Sequence, residues 1–371
     1  MATLPFTRRD QNTKKKLLLI KLEGLGDFII FLPSLLKYRE VFPGYEISLL
    51  VDNKINYEIA NRYKGENVDN VILFDAKKFS KNIFYRFALS KKFYQMNFDT
   101  VINPIYYRRK ISDFIVRATQ ATEKISFAGY EVEKLGRIFL LDPYTKLIRT
   151  PTTISNEFYR HKHLIEELAG KTFDDYSTTF PSKDSDIAGA RKILSEYGIA
   201  QGAFVVIFPG AGRAVSKWPV DKFAKIAEHL VEHNFDVVIC GSAMEKNLAE
   251  GILQHVDKSK MDHIFNLTAK TNIFSTAGII RLAKFYIGND SGPTHLAEAV
   301  GATVICPLGL GHFKEFYPSQ DTEKNIVVSV KNMDCLNDAY ACANGLTTGS
   351  PAPCVSNIST EAVINEIKKL I

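Results

Sequence analysis

The chain has 371 residues, 46% hydrophobic and 24% charged, which is enough for two domains with separate cores and typical of soluble globular proteins. Its net charge of +6 is unevenly placed: residues 1–150 hold 26 Lys+Arg against 16 Asp+Glu, and the remainder 21 against 25. No run reaches the roughly 18 apolar residues that a membrane span needs, so a basic half that meets an anionic partner is expected, not a spanning protein.

Lys14, Lys15 and Lys16 before Leu17-Leu18-Leu19-Ile20 imitate a secretion signal, but Lys21, Glu23 and Asp27 break the apolar run. A cytoplasmic protein with its five cysteines reduced is therefore expected, with contact at the inner face of the cytoplasmic membrane left open.

Residues 16–22 read as a buried parallel strand, followed by the turn Gly24-Leu25-Gly26-Asp27 and a helix carrying Ile29, Ile30, Leu32, Leu35 and Leu36. Pro33 suits the first turn of such a helix better than its middle. Further strands are expected at 47–51, 71–74 and 100–103. The rhythm lapses after 150 until a helix over 187–197, closed by Gly198, so a passage between domains is expected near 175–200.

Alternation then resumes with a strand at 204–208 and a helix whose Phe223, Ile226, Ala227, Leu230 and Val231 share one face. Strands follow at 236–240, 264–267, 285–287 and 303–307. A last helix is capped by Ser359, with Ile358 stapled to Val363. Strand–helix alternation on this scale means an α/β protein of two doubly wound, Rossmann-like domains facing a central cleft. The expected boundaries are 1–185 for an acceptor-binding domain and 186–355 for a nucleotide-sugar-binding domain. Residues 356–371 would form a helix returning to the first domain.

Three strand-to-helix loops carry the candidate chemistry. In Gly288-Asn289-Asp290-Ser291-Gly292-Pro293-Thr294-His295, a helix N-terminus offers backbone N–H groups to a diphosphate, and Ser291 and Thr294 add hydroxyls. Asp290 can hold sugar hydroxyls, or Asp290 or Ser291 merely caps the helix. In Pro209-Gly210-Ala211-Gly212-Arg213, continuing to Ser216-Lys217-Trp218-Pro219, Gly210 and Gly212 permit close backbone approach, and Arg213 and Lys217 bring positive charge. A plain loop with solvated basic residues is the alternative. In the first loop, Asp27 at a helix start is either a general base or an N-cap. No third glycine completes a dinucleotide fingerprint, which disfavours a nicotinamide dehydrogenase, and no Walker sequence is present.

With these three motifs in order along the whole chain, the sequence resembles glycosyltransferase family 9, the heptosyltransferase-like enzymes of lipopolysaccharide assembly. The resemblance implies a GT-B fold and an inverting transfer without metal or cofactor. The implied donor is ADP-heptose or a similar nucleotide sugar, and the implied acceptor an anionic glycolipid or glycan. It implies Asp27 as base, Lys217 at the donor phosphates, and Asp290, Ser291 and Gly292 at the sugar–diphosphate junction. His295 matches the family's histidine after that loop. The chain departs from the family in having Glu23-Gly24 where serines are usual, and Ser291 where threonine is common. Gly26, Arg108 and Arg109 are candidate acceptor contacts. Two other readings stand beside a transferase: a binding module that retains the scaffold without turnover, and a nucleotide-sugar epimerase.

Asp184-Ser185-Asp186 matches a metal-binding pattern but opens a helix, so capping is expected. Cys335, Cys342 and Cys354 lie too far apart for the usual paired zinc spacings. Between Lys77 and Tyr94, six basic residues interleave with six aromatics. That pattern suits either an anionic glycolipid surface or a helix with its aromatics in the core. Nucleic acid is not expected, because no recognised binding module accompanies it.

Overall fold

The computed structural model describes residues 14–129, 142–310, 313–317, 321–330 and 349–371. They form two compact units. The first comprises the chain up to Glu23, Ser34–Ile154 and Tyr159–Asp174; the second comprises Gly24–Pro33, Ser155–Phe158 and Asp175–Ile371.

The first unit holds strands β1 (Lys15–Ile20), β2 (Tyr45–Val51), β3 (Asn70–Leu73), β4 (Thr100–Asn103), β5 (Glu123–Phe127) and β6 (Lys146–Ile148). All pair in parallel, in the order β3-β2-β1-β4-β5-β6. The second holds β7 (Phe204–Phe208), β8 (Asp236–Ile239), β9 (Ile264–Asn266), β10 (Tyr286–Gly288), β11 (Val304–Pro307) and β12 (Asn325–Val328). Its order, β12-β11-β10-β7-β8-β9, repeats the same parallel plan. Both are doubly wound α/β sheets, as the alternation implies.

The central strands are apolar because a parallel sheet is covered on both faces. Leu17, Leu18, Leu19 and Ile20 of β1, and Phe204 to Ile207 of β7, are fully buried. In each sheet the strand order reverses between the first and fourth strands, β1 and β4 or β7 and β10. Open α/β sheets bind ligands beyond the strand carboxyl ends at such a reversal. The loops after β1, β7 and β10 are the three glycine-containing motifs.

Three details differ from the expectations. The helix after β1 runs over Leu25–Val41 with Pro33 in its interior, not its first turn. Proline there denies the Ile29 carbonyl its helical donor, but Phe28, Ile29, Phe31, Leu32, Leu35 and Tyr38 are buried around it and hold the helix. The second unit begins at Asp175 and includes Gly24–Pro33, so a single cut at 185 does not describe the division. The last helix, Thr360–Ile367, belongs to the second unit. Its Val363 and Ile367 join Trp218, Phe223 and Ile226 in that unit's core. Ser359 caps this helix by accepting from the Ala362 N–H, and Ile358 and Val363 are both buried.

Asp186 accepts from the Lys183 backbone at the start of helix Asp184–Glu196, which is the capping role expected of it. Cys354 is buried, whereas Cys335 and Cys342 lie outside the described residues. No helix among the described residues is long and apolar enough to cross a membrane.

Candidate active site

Strand β10 ends at Gly288, where a Cβ would lie 2.3 Å from the Tyr286 hydroxyl, so only glycine fits. Asn289 follows, fully buried. Its Nδ2 donates to the Pro209 carbonyl at 2.8 Å, and its Oδ1 accepts from the Trp218 N–H at 2.9 Å. One side chain thus brackets both ends of the loop after β7, bonding to the residues at 209 and 218. Losing it would strand a buried donor and a buried acceptor, at a cost of about 1–3 kcal/mol each. Trp218 is itself core, and its indole N–H donates to the Ile358 carbonyl at 3.0 Å.

Helix Gly292–Ala299 starts here with Ser291 at the N-cap position. The Ser291 side chain makes no cap; its hydroxyl donates to the Asn289 carbonyl at 3.1 Å. Pro293 contributes no N–H, and the Thr294 N–H is taken by the Ser291 carbonyl at 3.0 Å. The Gly292 N–H has no acceptor among the described residues. It is a donor at the positive end of a helix. Thr294 does not serve as an exposed hydroxyl: it is fully buried and bonded to the Asn289 carbonyl and the Tyr286 hydroxyl. Its role is to set the loop.

The second unit also contains the first glycine motif. A Cβ on Gly292 would lie 2.8 Å from Leu25 Cβ and 3.0 Å from the Gly26 nitrogen. A Cβ on Gly26 would lie 2.9 Å from His295 Cδ2 and 3.4 Å from Gly292 Cα. The two loops meet backbone to backbone because neither residue has a side chain. Asp27 is half-buried in the first turn of helix Leu25–Val41, so it is not the N-cap. Its carboxylate makes no hydrogen bond or ion pair among the described residues.

His295 is 5% exposed, with Nδ1 3.1 Å from Glu298 Oε2 and its ring stacked on Tyr317 at 5.7 Å. Burial pushes the imidazole pKa down. The Glu298 hydrogen bond and the carboxylates of Glu298, Asp290 and Asp27 outweigh that, leaving it above the ordinary 6.5. Asp290, Ser291 and Gly292 are all partly exposed beside it.

In the loop after β7 the two glycines differ. A Cβ at Gly210 would lie 2.5 Å from Glu245 Cγ, so the space is taken by this chain's own side chain. Glu245 is in turn fixed by the Ser242 N–H, which donates to its Oε2 at 2.7 Å. Nothing lies within 4 Å of a Cβ at Gly212, so that side of its backbone is open. Arg213 is exposed, and the half-buried Lys217 makes no ion pair or side-chain hydrogen bond among the described residues.

The residues ahead of the first loop are clamped within the first unit. Lys21 is 1% exposed, with its Nζ 2.5 Å from Glu23 Oε2 and 3.1 Å from His161 Nε2. Burial, then the charges of Lys21 and Arg160, hold His161 well below the ordinary histidine range. The side chains of Asn53 and Asn56 donate to the Glu23 carbonyl at 3.2 and 3.0 Å. Arg109 donates to the Leu22 carbonyl and keeps a side chain 46% exposed. Arg108 is committed inward, its guanidinium 3.0 Å from Asp142 Oδ2 and its side chain 4% exposed. Breaking a buried pair of this kind costs several kcal/mol, so Arg108 supports the fold instead of presenting a free cation.

The motifs named most of these residues; Asn289 and Glu245 were missed as supports. Asn289 was visible as an amide between a strand and a glycine, a type that is rarely buried unless bonded. Its two partners, 80 and 71 residues away, were not.

Gly292→Ala is expected to destabilise the second unit by about 1–3 kcal/mol through overpacking, whereas Gly212→Ala should stay within about 0.5 kcal/mol of wild type. Urea denaturation compares the two; equal effects would contradict the close approach. The His295 shift makes a second test. A folded pKa above 6.5 gives stability that is full below 6.5 and lost as pH rises through the folded value. The stability advantage of wild type over His295→Gln should therefore shrink as pH rises above about 6.5. A difference independent of pH would remove the charged histidine from the account.

The family model described as glycosyltransferase family 9 (heptosyltransferase) matches residues 86–343, more than half of the chain. Lipopolysaccharide heptosyltransferase 3 of Escherichia coli is 25% identical over 301 residues, covering 76% of this chain and 79% of that protein. Lipooligosaccharide heptosyltransferase 2 of Haemophilus influenzae is 33% identical over 102 residues, covering 27% of this chain and only 30% of that protein. In fold, the chain is similar to a family 9 glycosyl transferase from Veillonella parvula, with a TM-score of 0.75 at 18% identity, covering 96% and 97% of the two chains. It is also similar to the ADP-heptose lipopolysaccharide heptosyltransferase II of Escherichia coli, with a TM-score of 0.69 at 16% identity, covering 96% and 98%. On the span of the family match, which holds the second and third glycine motifs, the chain belongs to glycosyltransferase family 9, the heptosyltransferase family.

Proposed function

We propose that this chain transfers a heptose or similar sugar from an ADP-linked donor to a lipopolysaccharide or related glycan acceptor, by inverting displacement without a metal ion. The observation that carries the reading is the meeting of Gly26 with Gly292, which brings a carboxylate without a hydrogen-bond partner, Asp27, into the same unit as an open helix N-terminus. Family membership supports a nucleotide-sugar donor, and the likeness to the ADP-heptose lipopolysaccharide heptosyltransferase II of Escherichia coli supports adenine as its base.

In this mechanism Asp27 takes the proton of an acceptor hydroxyl as that oxygen attacks the anomeric carbon. The new C–O bond forms as the bond from that carbon to the diphosphate oxygen breaks, on the opposite face, so the configuration inverts. The departing nucleotide diphosphate gains negative charge. Lys217, the Gly292 N–H and His295 meet that charge, with Arg213 at the exposed edge of the loop. Asp290 and Ser291 hold the sugar end of the donor. Gly210 and Gly212 shape the loop beneath the phosphates, Gly210 by admitting Glu245. Arg109 fixes the strand end that precedes Asp27 and offers its exposed edge to the acceptor. A glycolipid acceptor places the reaction at the inner face of the cytoplasmic membrane.

Nucleotide release is to be measured with ADP-, GDP-, UDP- and dTDP-sugars, a heptose-deficient lipopolysaccharide fraction and EDTA. Release from the ADP-sugar that is indifferent to EDTA is expected. Asp27→Ala should lower turnover about 10²–10⁴-fold while donor affinity is largely kept. Equal loss of affinity and rate would make Asp27 a structural residue, and loss of activity in EDTA would remove the metal-free mechanism.

A further inference from the structure

Helix Ile83–Met96 has two apolar sides, and only one is used. At 100° per residue, Tyr85, Leu89, Phe93 and Met96 share the inner side and pack into the first unit's core. Positions 83, 94, 87, 91, 84, 95, 88 and 92 follow one another around the outer half. There Ile83 is 65% exposed, Phe84 82% and Phe87 74%. Single exposed apolar residues are ordinary on a protein surface; three large ones together on one helix face mark an interaction site.

The charge around them is one-sided. Residues 76–98 carry six basic side chains and no Asp or Glu. Arg86 turns inward, its guanidinium donating to the Phe79 and Ser80 carbonyls at 2.6 Å each, which ties the preceding helix, Ala76–Lys81, to this one. The lysines at 77, 78, 81, 91 and 92 are all exposed. Large apolar side chains standing out among solvated lysines, on a helix lying along the surface, match an anionic membrane interface: the rings enter the headgroup region and the ammonium groups meet lipid phosphates.

We propose that the outer face of helix Ile83–Met96 docks the chain on an anionic lipid bilayer. A second copy of this chain is a poorer occupant, because two such faces would bring ten lysines together without a carboxylate in either segment. The surface deepens the reading of a glycolipid acceptor, yet vesicle binding itself is measured with neither acceptor nor donor present, so its failure is separable from failure of the transfer mechanism.

The full chain is sedimented with phosphatidylcholine vesicles, with or without about one-third phosphatidylglycerol. Wild type should partition onto the anionic vesicles at least tenfold more strongly than onto neutral ones and be released by high salt. Phe84→Ser/Phe87→Ser, at positions outside the core, should weaken partition at least tenfold. Lys91→Glu/Lys92→Glu should weaken it by about 25-fold or more, from a factor of about five for each lysine. Circular dichroism and donor-linked turnover with a water-soluble acceptor should stay at wild-type values. Absent binding, equal binding to both vesicle types, or binding that neither variant changes would overturn the proposal. A wild-type dimer that Phe84→Ser/Phe87→Ser converts to monomer in sedimentation velocity would assign the face to a second copy instead.

Discussion

The candidate site depends on a steric constraint: two backbones occupy space that side chains would fill. Gly26 and Gly292 lie so close that a methyl group on Gly292 would press on Leu25 Cβ and the Gly26 nitrogen. This contact sets Asp27, one residue along from Gly26, in the same neighbourhood as the start of helix Gly292–Ala299. A carboxylate and a helix N-terminus attract each other electrostatically. Here neither satisfies the other with a hydrogen bond, so both keep their capacity for a ligand.

Around that contact the polar groups divide into those that hold the loops and those left over. Asn289, Thr294, Lys21, Asn53, Asn56 and Arg108 are committed to partners within the chain. Among the described residues Asp27 and Lys217 are not, and Ser291 uses its hydroxyl to reach back to a carbonyl. His295 stands between the groups: bonded to Glu298, yet surrounded by enough carboxylate charge to favour its protonated form despite burial.

Much of this was legible in the residues alone, for a physical reason. Central strands of a parallel sheet are buried on both faces and appear as apolar runs, so 100–103 and 204–208 were read with the observed ends. The short outer strands β5, β6 and β12 were missed: Lys146–Ile148 has three residues, two of them exposed. Helix Glu157–Ala169 buries Arg160 and His161, so its pattern does not look amphipathic. Pro33 was read by its local preference, which tertiary burial overrode. In the site, the glycines announced three loops, but nothing local reveals that the first and third touch, or that Asn289 of the third braces the second. The aromatic helix was ambiguous for the same reason: which of its rings face inward is decided by packing.

In the proposed mechanism the first and third glycine loops together form the reaction centre. The most direct measurement is a crystal structure of the chain with an unreactive ADP-sugar analogue bound. The diphosphate is expected on the Gly292 N–H and Lys217, with the Asp27 carboxylate facing the anomeric carbon from the side opposite the diphosphate. A diphosphate seated away from Gly292, or an anomeric carbon that Asp27 cannot approach from that side, would contradict it.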